Sequence, residues 1–396
     1  MDVFCIGLVF SRDQFRYQSY ARLYVEALLR LQKQVALFSP NWIELNNYLQ
    51  VHFKDQGKRI HCFPMEETIG GQHLEGKMAY VLRLLKLGRR LRMAERSMQA
   101  KIDFVYFAPV DDWIRPKFGK NLFDKLFGYS WSGMLTRMEA YEEGGLALNQ
   151  DPKFGEPDYL FLSKNCVGVS TLDRFRSEAL KSRVYKKVVV MPDISELNLP
   201  TRRQKVSEQI MKMAKGRMVV GTILLEHENP ENFLNVANAA AADQYFFVCV
   251  GSLEPEILGE KARTYLSELL SSGKNNNYFI LHTLDESEAI NDMLLCFDVC
   301  YLNDGNYEMP HPLLTKAAYF NKPVLGSKND MIGALLEAFK TGITVNGKVD
   351  ESIRALNTLR LQMPFDKNFD LEKLRNYAQL QNQECLRDAW EMLLLF

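Results

Sequence analysis

The sequence predicts an α/β protein made of two doubly wound, Rossmann-like parallel-sheet domains. Short apolar strands alternate with longer helical patterns along the whole chain, the signature of βαβ units. The second half shows six such strands with helices between them, the count of one doubly wound unit. The 396 residues, 47% apolar and 25% charged, suffice for two cores at roughly 100–200 residues per domain.

Each element follows from local pattern. In the first half, Val3–Phe10 reads as a buried strand and Gln18–Leu31 as an amphipathic helix. Gln34–Ser39 is a strand, followed by a helix near Asn41–Phe53, a strand near Arg59–Phe63 and a long helix over Gly76–Gln99. Phe104–Phe107 is the next strand. A stretch without clear period follows it. The segment CVGVSTLDRFRSEAL then reads as a strand end, a Ser/Thr cap and a helix, and Val188–Met191 closes the half.

In the second half the strands are Met218–Ile223, Tyr245–Gly251, Tyr278–His282, Val299–Leu302, Pro323–Gly326 and Ile343–Val345. Helices start near Pro230, Glu254, Glu286, His311, Met331 and Glu351. Asp193–Lys205, polar and without apolar period, reads as the linker. Asp370–Leu395 reads as one long helix.

Composition excludes several functions. Forty-nine Lys and Arg balance forty-nine Asp and Glu, so no global field draws nucleic acid. The seven cysteines are scattered, without metal-ligand spacing, and read as reduced core thiols. The opening MDVFCIGLVF lacks a basic start and a cleavage site, and no apolar run reaches ~18 residues, so the expected location is cytoplasmic. No G-x-G-x-x-G follows either opening strand (GLVFSRDQ, GTILLEHE), which argues against a dinucleotide-dependent oxidoreductase or epimerase.

The most informative stretch is DVCYLNDGNYEMPHPLLTKAAYFNKPVLGS, residues 298–327: a strand, a loop with Glu308, a helix from His311 and a second strand. A carboxylate after a parallel strand and before a helix sits where open α/β sheets bind ligands. With VVVMPDISEL, VVGTILLEHENPENFLNVANAA, FFVCVG, FILHTLDESEAINDML and ITVNGKVDESIRAL in order, this stretch resembles the retaining GT-B glycosyltransferases (group 1, family 4-like) over most of residues 160–360.

That resemblance implies a first, acceptor-side domain over 1–195 and a nucleotide-sugar domain over 206–365, facing across a cleft. It implies that the helix of 366–396 crosses back onto the first domain. Glu308 would orient the donor sugar, with Asp111 and His311 at the reaction centre. Leu281, His282 and Thr283 would flank the base, and the helix start at Met309–Leu314, Leu313 included, would face the diphosphate with its N–H groups. Gly221 and Thr222 would line the donor. No metal or cofactor is implied beyond the nucleotide sugar as substrate.

Four departures stand against ordinary donor chemistry. Lys316 occupies the family's second Glu position, and a cation cannot accept ribose hydrogen bonds. Thr222 stands at the leaving-group Arg position, and His227 or Glu228 near that of the Lys. Pro310 and Pro312 replace glycines and remove N–H donors. SRDQFRYQSY lacks the usual glycine pair. Replacement cations would be Lys316, Lys328, Arg12 and Arg16.

In the first half, KMAYVLRLLKLGRRLRMAERSMQAK carries Arg89 and Arg90 among eight basic residues against Glu95, a pattern that can lie on anionic lipid heads. A helix with one buried stripe and a solvated basic face reads equally from it. Asp111 and Asp112 follow a strand and could hold acceptor hydroxyls; Trp131 could stack on a sugar ring or sit in the core. The expected function is sugar transfer from a nucleotide sugar to a glycan or lipid-linked hydroxyl acceptor in surface polysaccharide or glycolipid assembly, with peripheral contact at an anionic membrane. The alternative is a non-catalytic GT-B protein serving as a partner or glycan-binding subunit.

Overall fold

The computed structural model describes residues 4–12, 15–66, 76–115, 117–138, 150–224, 229–251, 258–273, 275–280, 284, 287–303, 307, 309–362 and 371–395. The chain forms two compact units, Met1–Ile194 with Asn382–Phe396, and Ser195–Gln381.

The first unit runs β1 (Cys5–Phe10), α1 (Phe15–Arg30), β2 (Gln34–Ser39), α2 (Trp42–His52), β3 (Ile60–Pro64), α3 (Lys77–Met98), β4 (Phe104–Ala108), α4 (Lys120–Phe127), β5 (Trp131–Leu135), β6 (Gly168–Thr171), α5 (Ser177–Val184) and β7 (Lys187–Val190). Its seven strands lie in the order β3-β2-β1-β4-β5-β6-β7, all parallel. β1, β4 and β5 are buried throughout, which is why they read as apolar runs rather than alternation.

α4 and β5 fill the stretch whose period was too weak to read. β5 is short, and its Gly133 interrupts the apolar pattern because a Cβ there would stand 2.5 Å from the Val110 side chain. Trp131 pairs with Val105 of β4, which fixes the register.

The second unit follows as α6 (Lys205–Ala214), β8 (Met218–Ile223), α7 (Glu231–Ala239), β9 (Tyr245–Val250), α8 (Glu260–Ser271), β10 (Asn277–Ile280), α9 (Ser287–Cys296), β11 (Val299–Leu302), α10 (Pro312–Tyr319), β12 (Val324–Ser327), α11 (Met331–Phe339), β13 (Gly342–Val345), α12 (Val349–Leu361) and α13 (Leu371–Gln379). Six parallel strands lie in the order β10-β9-β8-β11-β12-β13. α6 was not expected. It begins inside the polar stretch read as linker.

The first four residues of that stretch are no solvated tether, while 198, 199 and 201–205 are exposed as expected of a linker. Asp193, Ile194, Ser195 and Glu196 are all buried. Tyr20 donates its hydroxyl to Asp193, and Asn291 donates its amide to the carbonyls of Glu196 (3.1 Å) and Asn198 (2.8 Å). Polar residues here are satisfied by protein rather than water, which composition alone could not reveal.

The expected single helix over 370–395 is two. α13 stays in the second unit against α10, and α14 (Gln383–Leu394) belongs to the first. Asn382 makes the break: its backbone is extended and its side chain accepts from Cys385 N–H at 2.8 Å, an N-cap inside a continuous apolar period. α14 then buries Trp390 against Tyr24 (5.4 Å) and Tyr106 (4.7 Å). All seven cysteines are free thiols.

Candidate functional site

In each sheet the winding reverses once, between β1 and β4 in the first unit and between β8 and β11 in the second. Loops leaving the C-terminal ends of such strand pairs diverge and leave a crevice. Four of the residues singled out from sequence lie at these two points: Arg12, Asp111 and Asp112 in the first, and His311 in the second.

In the first unit the crevice is occupied by charge. Arg12, just past β1, donates to both oxygens of Asp112 at 2.9 and 2.7 Å, and Ser11 Oγ donates to the same carboxylate at 2.8 Å. Burial alone would pull the guanidinium pKa down; the hydrogen-bonded Asp112 carboxylate more than reverses this and raises it. Arg83 Nη2 donates to the Asp112 carbonyl at 2.9 Å. Arg12 and Asp112, expected to meet phosphate and acceptor separately, meet each other instead.

Asp111 is spent as well. Its carboxylate accepts from Thr136 N–H (2.8 Å), Thr136 Oγ1 (2.9 Å) and Arg137 N–H (3.2 Å), holding the chain that leaves β5. Burial raises its pKa, and those hydrogen bonds pull it partly back. Arg16 lies in the first turn of α1 and faces Tyr17 and Tyr20, whose pKa values its charge lowers against the larger effect of burial. Trp131 is fully buried among Phe107, Phe123 and Phe161 and cannot stack on a sugar. Arg89 is exposed on α3, and Arg90 pairs with Glu66 at 2.7 Å.

In the second unit the described residues just past β11, Asn303 and Tyr307, are neutral. β11 ends at Leu302, and the next residue, Asn303, is buried with no hydrogen-bond partner for its Nδ2 among the described residues. Several such groups occur among the described residues, and this one lies at the winding reversal of the second sheet. Sequence reasoning passed over it; a polar residue directly after the apolar run VCYL was the available signal.

Tyr307, the residue before Glu308, is held next door. Tyr307 N–H donates to Asp330 Oδ2 at 3.3 Å, and the Tyr307 carbonyl accepts from Met331 N–H at 3.0 Å. Asp330 also caps α11 through Gly333 N–H at 3.1 Å. Burial raises the Asp330 pKa, and these N–H donors lower it. Gly333 is required there, since a Cβ would stand 2.4 Å from the Lys328 carbonyl. Asp330 thus fixes the residue before Glu308 on an α-helix terminus, a second contribution the sequence did not disclose.

α10 begins with His311 as its N-cap and Pro312 at the first helical position. His311 Nδ1 accepts from Leu313 N–H at 3.2 Å, and its carbonyl accepts from Leu314 N–H at 2.8 Å. With Nδ1 accepting, the ring proton of the neutral imidazole sits on Nε2, a donor. Tyr307 packs edge-on against the ring at 5.0 Å. Two N–H groups expected to cradle phosphate are therefore already used within the helix cap. Met309 lies just before the cap, half-buried, and Leu313 is buried.

Lys316 departs furthest from expectation. It is buried, and its amine donates to the Glu196 carbonyl and to Asn291 Oδ1 (2.7 Å). Burial pulls its pKa down to about 7, opposed by the Glu196 carboxylate. The amine fastens residues 196–198 to α9 and α10, and this engagement takes it away from any phosphate. Lys328 is exposed in the loop after β12. Gly221 and Thr222 lie in β8, Thr222 buried; a Cβ on Gly221 would stand 2.3 Å from the Phe297 ring, so that glycine serves packing. Glu308, His282 and Thr283, with Leu281, His227 and Glu228, lie outside the described residues.

No family model matches this chain, and no curated relative does. Among solved structures, it is similar to sucrose-phosphate synthase from Thermosynechococcus elongatus (TM-score 0.65, 12% identity, 98% of each chain covered). It is similar also to a glycosyltransferase from Rickettsia africae (TM-score 0.63, 9% identity, 100% of each chain). A third is HepE of Anabaena, solved in complex with UDP (TM-score 0.62, 13% identity, 98% of each chain). The two parallel sheets have the GT-B fold. At such identities the likeness is one of fold.

Proposed function

We propose that this chain transfers a sugar from a nucleotide sugar to a hydroxyl acceptor, with the donor at the C-terminal ends of β8 and β11. The observation that carries the reading is Asn303, whose buried Nδ2 has no partner among the described residues, at the winding reversal of the second sheet, near Tyr307, which Asp330 holds. The likeness of the whole fold to a glycosyltransferase and to a protein solved with UDP supports it.

In this reading Glu308 orients the donor sugar, the Asn303 amide donates to it or its diphosphate, His311 caps the adjoining helix, and Lys328 supplies charge. Lys316 and Asp111 leave the active set, because their polar atoms are engaged inside the fold. The sugar C1–O bond to the diphosphate breaks as the acceptor oxygen bonds to C1. The acceptor's proton passes to the departing diphosphate, so no side-chain base is needed and configuration is retained. The acceptor is a glycan or lipid-linked hydroxyl in surface polysaccharide or glycolipid assembly, met on the cytoplasmic side.

Thermal unfolding against UDP, GDP, ADP, CMP and their common sugars tests this. A ligand at 100 times its Kd adds about 2.7 kcal/mol, a clear shift. We expect one diphosphate series to shift the transition, and Glu308→Ala and Asn303→Leu each to abolish that shift. A second reading, a non-catalytic GT-B partner or glycan-binding subunit, is favoured by the engaged Lys316 amine and the self-capped α10. No shift with any nucleotide, with folding intact, would select it.

A further inference from the structure

α3 presents two unlike faces. Tyr80, Leu84, Leu87, Leu91 and Ala94 are buried in the core of the first unit. On the opposite side Met78, Leu82, Leu85 and Met93 are 72%, 53%, 42% and 61% exposed. At 3.6 residues per turn these four fall within about 80° of arc, in one stripe with Arg89, Arg92 and Arg96. A solvated face has no reason to carry four large apolar side chains in line.

Charge is segregated on the same helix. α3 holds seven cations, Lys77, Arg83, Lys86, Arg89, Arg90, Arg92 and Arg96, against one acid, in a chain whose net charge is +0. The acid, Glu95, is turned inward: it accepts from Ile102 N–H at 3.0 Å and from the Tyr129 hydroxyl at 3.2 Å. Glu66 pairs with Arg90 at 2.7 Å and lies 3.9 Å from Lys86, at one edge. Arg89, Arg92 and Arg96 have no ion pair among the described residues. The neighbouring helix α4 exposes Leu122 and Lys125, while its own acid, Asp124, is buried on Ser163.

We infer that the outer face of α3 docks on an anionic lipid surface, with Met78, Leu82, Leu85 and Met93 entering the headgroup–acyl boundary and the arginines meeting lipid phosphates. A lipid interface takes apolar side chains and cations side by side. A nucleic acid would take the cations and leave the apolar stripe wet, since α3 offers no aromatic or amide reader along it. A second copy paired through this face would set six net positive charges against six. The inference stands apart from sugar transfer and can fail without it.

The test is flotation of the full chain with vesicles of phosphatidylcholine alone and of phosphatidylcholine with about 30% phosphatidylglycerol, at low and at physiological salt. Binding to the anionic vesicles only is expected, weakening as salt rises. Leu82→Glu with Met93→Glu, and separately Arg89→Glu with Arg96→Glu, should each weaken it by at least about tenfold. Leu361→Glu, an exposed leucine on α12 of the other unit, should not change it. Circular dichroism of each variant confirms folding, because all four replaced side chains are solvent-facing. Absence of binding to anionic vesicles would overturn the inference. So would unchanged binding by the Leu82/Met93 variant, or tighter binding of a soluble RNA oligomer than of the vesicles.

Discussion

At the winding reversal of its first sheet this protein sets charge against charge: Arg12 lies in a two-pronged bridge on Asp112, with Ser11 on the same carboxylate. At the equivalent place in the second sheet it sets Asn303, whose Nδ2 has no partner among the described residues, near Tyr307, which the capping residue of α11 holds. The strand order is the same in both over six strands, the first sheet adding β7 at its edge. The first crevice ties its charges to one another, with Tyr17 Oη beside Arg12 buried without a partner among the described residues; in the second, Asn303 Nδ2 is the group so placed. One architecture thus supports two differently furnished reversal points, and side chains just past the strand ends decide how each is furnished.

Breaking the first reversal point should have the largest effect. Arg12→Met strands a buried carboxylate, and we expect a loss of about 3 kcal/mol, read as a shift in the urea midpoint followed by a probe in the first unit. Nucleotide-induced stabilisation should persist in this variant if the ligand belongs to the second unit.

Gly221→Ala should cost about 1–3 kcal/mol by driving a methyl into the Phe297 ring, and Phe297→Leu should recover part of it. Such rescue separates packing from a donor-contact role for Gly221. Failure of rescue would return that residue to the site.

Lys316 gives a pH signature. Its amine has a pKa near 7 in the fold, against about 10.5 when unfolded, so between these values the unfolded chain holds a proton that the folded chain lacks. Stability should therefore rise with pH above about 7, by about 1.4 kcal/mol per pH unit from this group, and level off near 10.5. Lys316→Met should flatten that rise in a pH series of urea melts. An unchanged slope would show that the amine is not the group responsible.

The smallest effect on stability sharpens the comparison most. Asn303→Leu removes an unsatisfied buried amide and should raise ligand-free stability by about 1 kcal/mol, while the nucleotide shift disappears. A destabilised variant would mean that the amide is satisfied in solution.

Much of the fold was legible because both sheets are parallel and buried, so their strands stand out as apolar runs. Gln34–Ser39, Met218–Ile223 and Val299–Leu302 were read to the residue. β5 was not, because Gly133 and Ser132 break its apolar run for the sake of Val110 and the sheet register. The break at Asn382 was missed because apolar period continues across it. Asp111 and Asp112 were read as meeting an acceptor and Lys316 as meeting phosphate, and all three are engaged inside the fold. Their partners lie 20–120 positions away, at Thr136, Arg12 and Glu196, so the difference between a ligand contact and an internal bond was not in the local string.

The sequence by itself determined the alternation of strand and helix, and hence two doubly wound sheets, since periodicity and burial are local properties repeated many times over. It also determined the basic, apolar character of Lys77–Met98 and the place of the Glu308 loop after a strand. Only the tertiary structure decided which polar groups are already satisfied: that Arg12 answers Asp112, that Asp330 holds Tyr307, that Lys316 answers Glu196 and Asn291, and that Asn303 has no partner for its Nδ2 among the described residues. A hydrogen bond needs two groups within about 3 Å, and for residues far apart in the chain that proximity is a product of folding, not of composition.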